Sequence, residues 1–403
     1  LFVDLQKSLD YFAMMDYFRH MKRYLYDQIL EDLRKKIVFI TGPRQVGKTF
    51  LAKQIMENFV RPQYLNFDNL NDLRIIKGTS WALNTDLIVF DEIHKMKNWK
   101  SYIKGVYDSK TNHQSILVTG SARLDTFKQT GDSLAGRYLH LRLNPFSIKE
   151  ISHIVPNNYE GLELLNKLGG FPEPLLNCVN LEKEKAEAES ARWKNQYYSD
   201  IIREDILEFS RISEIKTMKI LLQLLRTKVG SPLSLNSIAN DLQVSPNTIK
   251  KYVQILESLH IIFLITPFHK NIARSILKEP KVYFYDTSFV EGDEGIKLEN
   301  TCAVSLLKNV QFLYDAKGEN INLHYLRTKD NKEIDFAISQ KGELSQLVEV
   351  KLSDNKVSAS LKYFAERFKS VEAIQLVHNL KQNENRNGIN ILRASDWLAE
   401  LSV

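Results

Sequence analysis

Residues 36 to 49, KIVFITGPRQVGKT, join an apolar run to the pattern G-x-x-x-x-G-K-T, and this junction constrains the fold more than any other stretch. Lys36 to Ile40 read as a buried strand. The glycines let the chain turn tightly enough for successive backbone N–H groups to face one anion, and Phe50 to Asn58 continue as a helix whose N-terminus adds its dipole. Gly42, Pro43, Arg44, Gln45, Val46, Gly47, Lys48, Thr49 and Phe50 are therefore the candidate ATP-binding residues. Lys48 is expected to reach the β- and γ-phosphates, a catalytic position, and Thr49 to hold Mg2+. The competing reading is an ordinary strand-turn-helix corner. The complete pattern, in its required context and with an acidic partner downstream, argues against that.

A chain of 403 residues exceeds what one compact core supports, so two or three domains are expected. With 43% hydrophobic and 26% charged residues, and only 16 Gly and 10 Pro, the composition is that of a folded globular protein rather than a disordered one. The net charge of +6 permits contact with nucleic acid but falls short of the footprint of a dedicated DNA binder. Cys178 and Cys302 lie far apart and form no C-x-x-C, which fits a reducing cytosol; both read as small buried hydrophobes. No apolar run reaches the ~18 residues that a membrane span needs. The N-terminus lacks a signal pattern, so no membrane association and a cytoplasmic location are expected.

Residues 1 to 20 stand upstream of MKRYLYDQILEDLRKKIVFITG, which is already a complete helix-then-strand entry, so Met21 is a candidate natural start. The alternative is an N-terminal amphipathic helix, because Leu5, Leu9, Phe12 and Tyr17 recur at roughly helical spacing.

From Lys36 onward short apolar strands alternate with helical stretches, which argues for a parallel sheet covered by helices. The strands expected are 36–41, 63–67, 86–91, 115–120 and 138–143. The third ends in LIVFDE, four apolar residues followed by Asp91 and Glu92. Neighbouring strand residues point opposite ways, so Asp91 can orient the Mg2+ shell while Glu92 leans toward the water that attacks the γ-phosphate. His94 follows, and a lone His after a strand reads as structural. At the tip of the fourth strand, Ser121 is the first choice for a hydroxyl contacting the γ-phosphate and Thr119 the second. Arg123 and Arg137 are candidates for the positive charge that stabilises the transition state, in cis or across a subunit boundary. Either arginine is equally well read as a surface ion-pair partner.

The segments GPRQVGKT, LIVFDEIHK, ILVTGSAR, SLAGRYLHLRLNPFSIKEI and GGFPEPLL resemble the AAA-type ATPases of bacteria and archaea that carry a C-terminal domain of unknown function related to restriction endonucleases. The resemblance runs from about Met21 to the end. It implies an α/β multidomain protein with a P-loop ATPase parallel-sheet core, a helical lid and a C-terminal restriction-endonuclease-like α/β domain. With the winged helix read below, the expected boundaries are 1–20 for a leader, 21–155 for the core, 156–230 for the lid, 231–268 for the winged helix and 269–403 for the last domain.

Residues 160 to 228 are mostly helical in pattern, interrupted by Gly169-Gly170-Phe171-Pro172-Glu173-Pro174, a sharp helix breaker that reads as a hinge or as a plain inter-helix turn. Tyr198 to Asp205 reads as an interface or an ion-pair network. Residues 233 to 265 read as helix, turn, helix, strand, with Ser245 capping the second helix and Pro246 in its first turn. In a DNA-binding winged helix, Asn247, Thr248, Lys250 and Lys251 would be the exposed contacts. The rival reading is a packing element with solvated lysines.

In the last third, a strand at Lys281 to Asp286 precedes a helix carrying Glu299, then strands carrying Asp335 and the pair Glu349 and Lys351. Glu349 and Lys351 project to one face of their strand. Glu299, Asp335 and Glu349 are thus candidate ligands for a second Mg2+ or Mn2+, with Lys351 as the catalytic ammonium that activates a bound water or stabilises the phosphate. Against this, E-x-K is common in amphipathic strands. Three readings follow: an ATPase whose cycle moves a nuclease-like domain on or near DNA, an ATP-switched DNA- or protein-binding module, and an ATP-regulated metal-dependent DNA nuclease. Self-association is compatible with each.

Overall fold

The computed structural model describes residues 21–120, 134–178, 181–201, 212–269, 278–353 and 356–403. The chain divides into two compact units, the first containing Gly47–Leu143 and the chain up to Thr41, the second Gly42–Val46 and Asn144–Val403. Residues 1–20, Ser121 and Arg123 lie outside the described residues, as do 202–205 of the acidic segment.

The first unit is built on β1 (Ile37–Thr41), β2 (Pro62–Asn66), β3 (Leu87–Asp91), β4 (Ser115–Thr119) and β5 (Tyr138–Arg142), in the order β2-β3-β4-β1-β5. Every neighbouring pair is parallel. Helices α1 (Tyr26–Leu33), α2 (Lys48–Met56), α3 (Leu70–Gly78) and α4 (Trp99–Ser109) precede or link these strands. A parallel sheet covered on both faces needs strands that are apolar on both faces. The sequences IVFIT and LIVFD meet that demand and are buried at every position. The edge strands β2 and β5 are half-buried and mix polar with apolar residues. Ile37, Phe39, Ile88, Phe90, Ile116 and Val118 form the core of one face against Ile76, Ile103 and Val106. The five expected strands are all present within one residue of the expected limits.

After a single helical turn at Ile148–Ile151, the second unit continues with helices α5 (Asn158–Leu168), α6 (Pro172–Cys178), α7 (Lys183–Asp200) and α8 (Ile212–Arg226). Then come α9 (Leu235–Asp241), α10 (Pro246–Ser258) and β6 (Ile262–Ile265). Ser245 caps α10 through the N–H of Thr248, and Pro246 occupies its first turn. Strand β7 (Lys281–Phe284) pairs antiparallel with β6, and the Phe263 and Tyr283 rings stack at 5.7 Å. The strand expected to open the last third is therefore the partner of β6.

Helix α11 (Glu294–Lys317) follows, capped by the Asp293 side chain and ended by Gly318 at φ 69°. A six-stranded mixed sheet completes the unit: β8 (Ile321–Arg327), β9 (Glu333–Gln340), β10 (Glu343–Lys351), β11 (Glu372–Val377), β12 (Glu384–Arg386) and β13 (Ile389–Arg393). Their order is β12-β13-β11-β10-β9-β8. The meander β8-β9-β10 is antiparallel, and β10-β11-β13 run parallel. Helix α12 (Ala359–Arg367) makes the crossover from β10 to β11 and packs Leu361 and Phe364 on Ala337, Leu347 and Ala373.

Candidate functional site

Strand β1 runs directly into the glycine loop, and α2 begins at Lys48 itself. Gly47, which precedes it, has φ 97° and ψ 20°, a left-handed conformation that a Cβ would strain. Gln45 also has φ 58°. A loop alternating such conformations aims consecutive N–H groups into one concavity, the geometry that cradles phosphate. Within the second unit, the indole N–H of Trp193 donates to Gln45 Oε1 at 3.0 Å, and Tyr197 Oη donates to the Arg44 carbonyl at 3.2 Å. These two aromatic residues of α7, stacked at 4.7 Å, hold loop residues and were not singled out from sequence.

The hydroxyl of Thr49 donates to Asp91 Oδ2 at 2.9 Å. Asp91 Oδ1 accepts the Thr119 hydroxyl at 2.7 Å, and Oδ2 also accepts Tyr64 Oη at 2.5 Å. The buried carboxylate is thus fixed by donors from α2, β2 and β4. A hydroxyl and a carboxylate set this close are a donor pair suited to one Mg2+, a hard cation that takes oxygen ligands. Thr119, the second-choice phosphate sensor, instead orients Asp91. Tyr64 was missed; its register beside β3, two residues before Asn66 opposite Asp91, was its only signal. Burial, then the hydrogen bond to Asp91, raises the Tyr64 phenol well above its ordinary range, so it stays a donor.

Glu92 follows at φ 56° and ψ 20°, and its N–H donates to the Thr119 carbonyl at 3.1 Å. A non-glycine residue held left-handed is strained by about 1 kcal/mol or more. The turn ends the strand at Asp91, so the two carboxylates part company through a change of backbone conformation and not through strand alternation alone. His94 Nε2 and Lys95 Nζ each lie 3.7 Å from Glu92 Oε2. Arg137 makes a two-pronged pair with Asp108, at 2.8 and 3.3 Å, which is the ion-pair alternative.

On α10, Asn247, Lys250 and Lys251 are exposed. Thr248 is not free to face a groove, because its hydroxyl bonds that of Ser245 at 2.9 Å within the helix cap.

In the C-terminal sheet, Glu349 and Lys351 share one face of β10 as expected, their side chains 2.8 Å apart. Asp335 on β9 accepts the N–H of Val350 at 2.9 Å. Glu299 on α11 accepts Tyr283 Oη at 2.7 Å. What sequence reasoning did not place is Lys281, fully buried at the start of β7, whose Nζ faces Glu333 at 2.7 Å, Glu299 at 3.6 Å and Asp335 at 3.8 Å. Burial pushes the Glu299 carboxyl up to about 7, and the Asp335 charge adds to it; burial and Asp335 do the same to Glu349, also about 7. Burial disfavours the Lys281 ammonium, but Glu299, Asp335 and Glu333 outweigh it and hold it charged. Glu299, Asp335 and Glu349 are the residues expected from sequence to share a divalent cation. Among the described residues no group of three or more His, Cys, Asp or Glu side chains is arranged to hold a metal. The internal ammonium of Lys281 faces two of the three.

Residues 34–152 match the family model of an AAA domain. Residues 160–296 and 294–397 match two domains of unknown function, DUF8612 and DUF4143. An uncharacterized protein of Methanocaldococcus jannaschii is 29% identical over 376 residues, covering 84% of this chain and 80% of its own length. An uncharacterized protein of Mycobacterium tuberculosis is 22% identical over 321 residues, covering 77% of this chain and 69% of its own. Among solved structures, the Thermotoga maritima RuvB Holliday junction branch migration motor overlaps at a TM-score of 0.32 and 16% identity, covering 60% of this chain and 89% of that one. The N-terminal part is thus similar to an AAA domain over residues 34–152, and its sheet of five parallel strands is compatible with that likeness. No helix among the described residues is long and apolar enough to cross a membrane.

Proposed function

We propose that the chain binds and hydrolyses ATP with Mg2+ and uses the cycle to move its C-terminal domain, acting on or near DNA. The observation that carries the ATPase reading is the Thr49 hydroxyl seated on the Asp91 carboxylate at 2.9 Å, immediately beside the Lys48 end of α2. The loop from Gly42 to Phe50 would hold the phosphates, and Thr49 and Asp91 would position the metal. That ion would supply charge neutralisation between the β- and γ-phosphates. Glu92 would accept the proton of the attacking water. Ser121 and Arg123, which lie shortly after β4 in sequence and outside the described residues, are proposed for the γ-phosphate side.

The DNA reading draws support from two modules. The order α9, α10, β6, β7 is compatible with a winged helix, in which Asn247, Lys250 and Lys251 on α10 would be the groove contacts. The order α11, β8-β9-β10, α12, β11 is compatible with a restriction-endonuclease-like core, in which Glu299, Asp335 and the Glu349–Lys351 pair would be the site residues. A single assay separates the readings: ATP turnover with and without duplex DNA, in Mg2+ and then in Mn2+, while DNA length is followed. Turnover that rises with DNA of unchanged length is the expected result. Absence of turnover under every condition overturns the ATPase reading, and shortened DNA supports the nuclease instead.

A further inference from the structure

A restriction-endonuclease-like domain that cuts needs a divalent metal between its carboxylates, and in this domain the residues do not fit one. Lys281 is fully buried, with its Nζ 2.7 Å from Glu333 Oε1, 3.6 Å from Glu299 Oε1 and 3.8 Å from Asp335 Oδ1. The face of the Tyr325 ring lies 5.5 Å from the same ammonium. Asp335 is engaged on its other oxygen as well, and the Glu299 oxygen that faces Lys281 has a second partner. Asp335 Oδ2 accepts a backbone N–H from β10, and Glu299 Oε1 accepts the Tyr283 phenol. Gly230, at φ +73°, lies so close over Glu299 that a Cβ there would sit 2.7 Å from its Oε1. Glu349 Oε1 is engaged by Lys351 at 2.8 Å. Glu349 Oε2 is the one oxygen of the cluster that is buried without a hydrogen-bond partner, and one oxygen is not a coordination sphere.

The physics favours the lysine. Mg2+ demands about six oxygens at roughly 2.0–2.1 Å and gives up its water reluctantly. To reach both Glu299 and Asp335 it would have to settle beside a fully buried ammonium, and like charges at such range in a poorly polarisable interior repel strongly. A tethered ammonium meets the same carboxylates with no free ion to dehydrate.

Resting on the restriction-endonuclease-like reading of this domain, we propose that Lys281 is the permanent counter-ion of the cluster and stands in place of a catalytic metal, so that the domain engages its partner without cutting phosphodiesters. The test counts Mn2+ bound to the nucleotide-free full-length protein by calorimetry and by the electron-spin signal of the free ion. Wild type and Asp335→Asn are expected to bind the same number of ions, with the same shift in Tm. One ion more on wild type overturns the proposal. Lys281→Met is expected to gain one Mn2+ site that Lys281→Met/Asp335→Asn lacks. A Lys281→Met protein that keeps its circular dichroism but gains no site overturns it too, and should that variant not fold, the wild-type comparison decides alone. ATP turnover is read on the same wild-type sample: its absence would sink the ATPase reading and leave the ion count intact.

Discussion

Thr49 and Asp91, 42 residues apart, meet as a hydroxyl donating to a carboxylate at 2.9 Å. Their meeting follows from strand order alone: α2 leaves β1, β4 lies between β1 and β3, and the C-terminal ends of all three open on the same side. Asp91 at that rim carries the Thr119 hydroxyl on one oxygen and Thr49 and Tyr64 on the other.

Removing the ammonium in Lys48→Ala is expected to abolish ATP binding, because it deletes the charge proposed to offset the β- and γ-phosphates. Glu92→Gln should keep ATP affinity within a few-fold yet lower turnover by about 10²-fold or more, since only the proton acceptor is lost. Equilibrium binding of a fluorescent ATP analogue beside steady-state turnover checks both. Unchanged turnover in Glu92→Gln would remove Glu92 from its role.

Tyr64→Phe deletes one donor to a buried carboxylate while keeping the ring beside Lys53, whose Nζ is 5.7 Å from its centroid. A hydrogen bond to a charged acceptor contributes roughly 1.5–3 kcal/mol. The variant should therefore melt several degrees lower without nucleotide, and part of the loss should return with Mg-ATP if the metal shares Asp91. Equal losses with and without Mg-ATP would mean that Tyr64 serves the fold alone.

The five strands, the glycine loop and the acidic strand end were legible because each rests on local pattern: apolar runs of buried parallel strand, glycines at left-handed positions, a carboxylate where the apolar run stops. Tyr64, Trp193 and Lys281 were not, because their roles come from elements distant in sequence. A lysine at the head of the apolar strand Lys281–Phe284 looks like a solvated end, and only the placement of Glu299 and Glu333 makes it an interior cation. Arg137 illustrates the converse. Its neighbourhood AGRYLHL drew attention to it, and the structure assigns that guanidinium to Asp108.

The NPFSIKEI run is structural in its contacts. Asn144 donates to Gln311 at 2.9 Å, Ser147 and Glu150 close a capping box, and buried Lys308 of α11 reaches the Pro145 carbonyl, the Ser147 hydroxyl and the Glu150 carboxylate. Lys308→Ala strands the buried Glu150 and should destabilise the protein by about 3–5 kcal/mol. Lys308→Ala/Glu150→Ala should recover part of that, as no unpaired charge remains. Urea unfolding decides, and a double variant no better than the single would mean that packing, not charge, carries the cost.

Gly169 of the GGFP turn has φ +75°, and a Cβ there would lie 2.1 Å from Asp286 Oδ1. Gly169→Ala should therefore cost more than about 2 kcal/mol, from backbone strain and from displacing a buried carboxylate. Asp286 itself accepts the N–H and hydroxyl of Ser288, at 3.0 and 2.7 Å, while its Oδ2 is buried without a partner. Burial pushes its carboxyl up to about 6, against the opposing effects of Ser288 and Lys194. The folded protein then holds this proton more tightly than the unfolded chain does. The resulting stability is fully present below the ordinary carboxylate range near 4 and is lost as pH rises to about 6, by at most ~3 kcal/mol. Asp286→Asn keeps an acceptor for Ser288 and removes the titration. In urea midpoints measured from about pH 4.5 to 7, its decline should be smaller than that of the wild type, with Glu299 and Glu349 contributing equally to both, and parallel curves for the two proteins would place the pH sensitivity elsewhere.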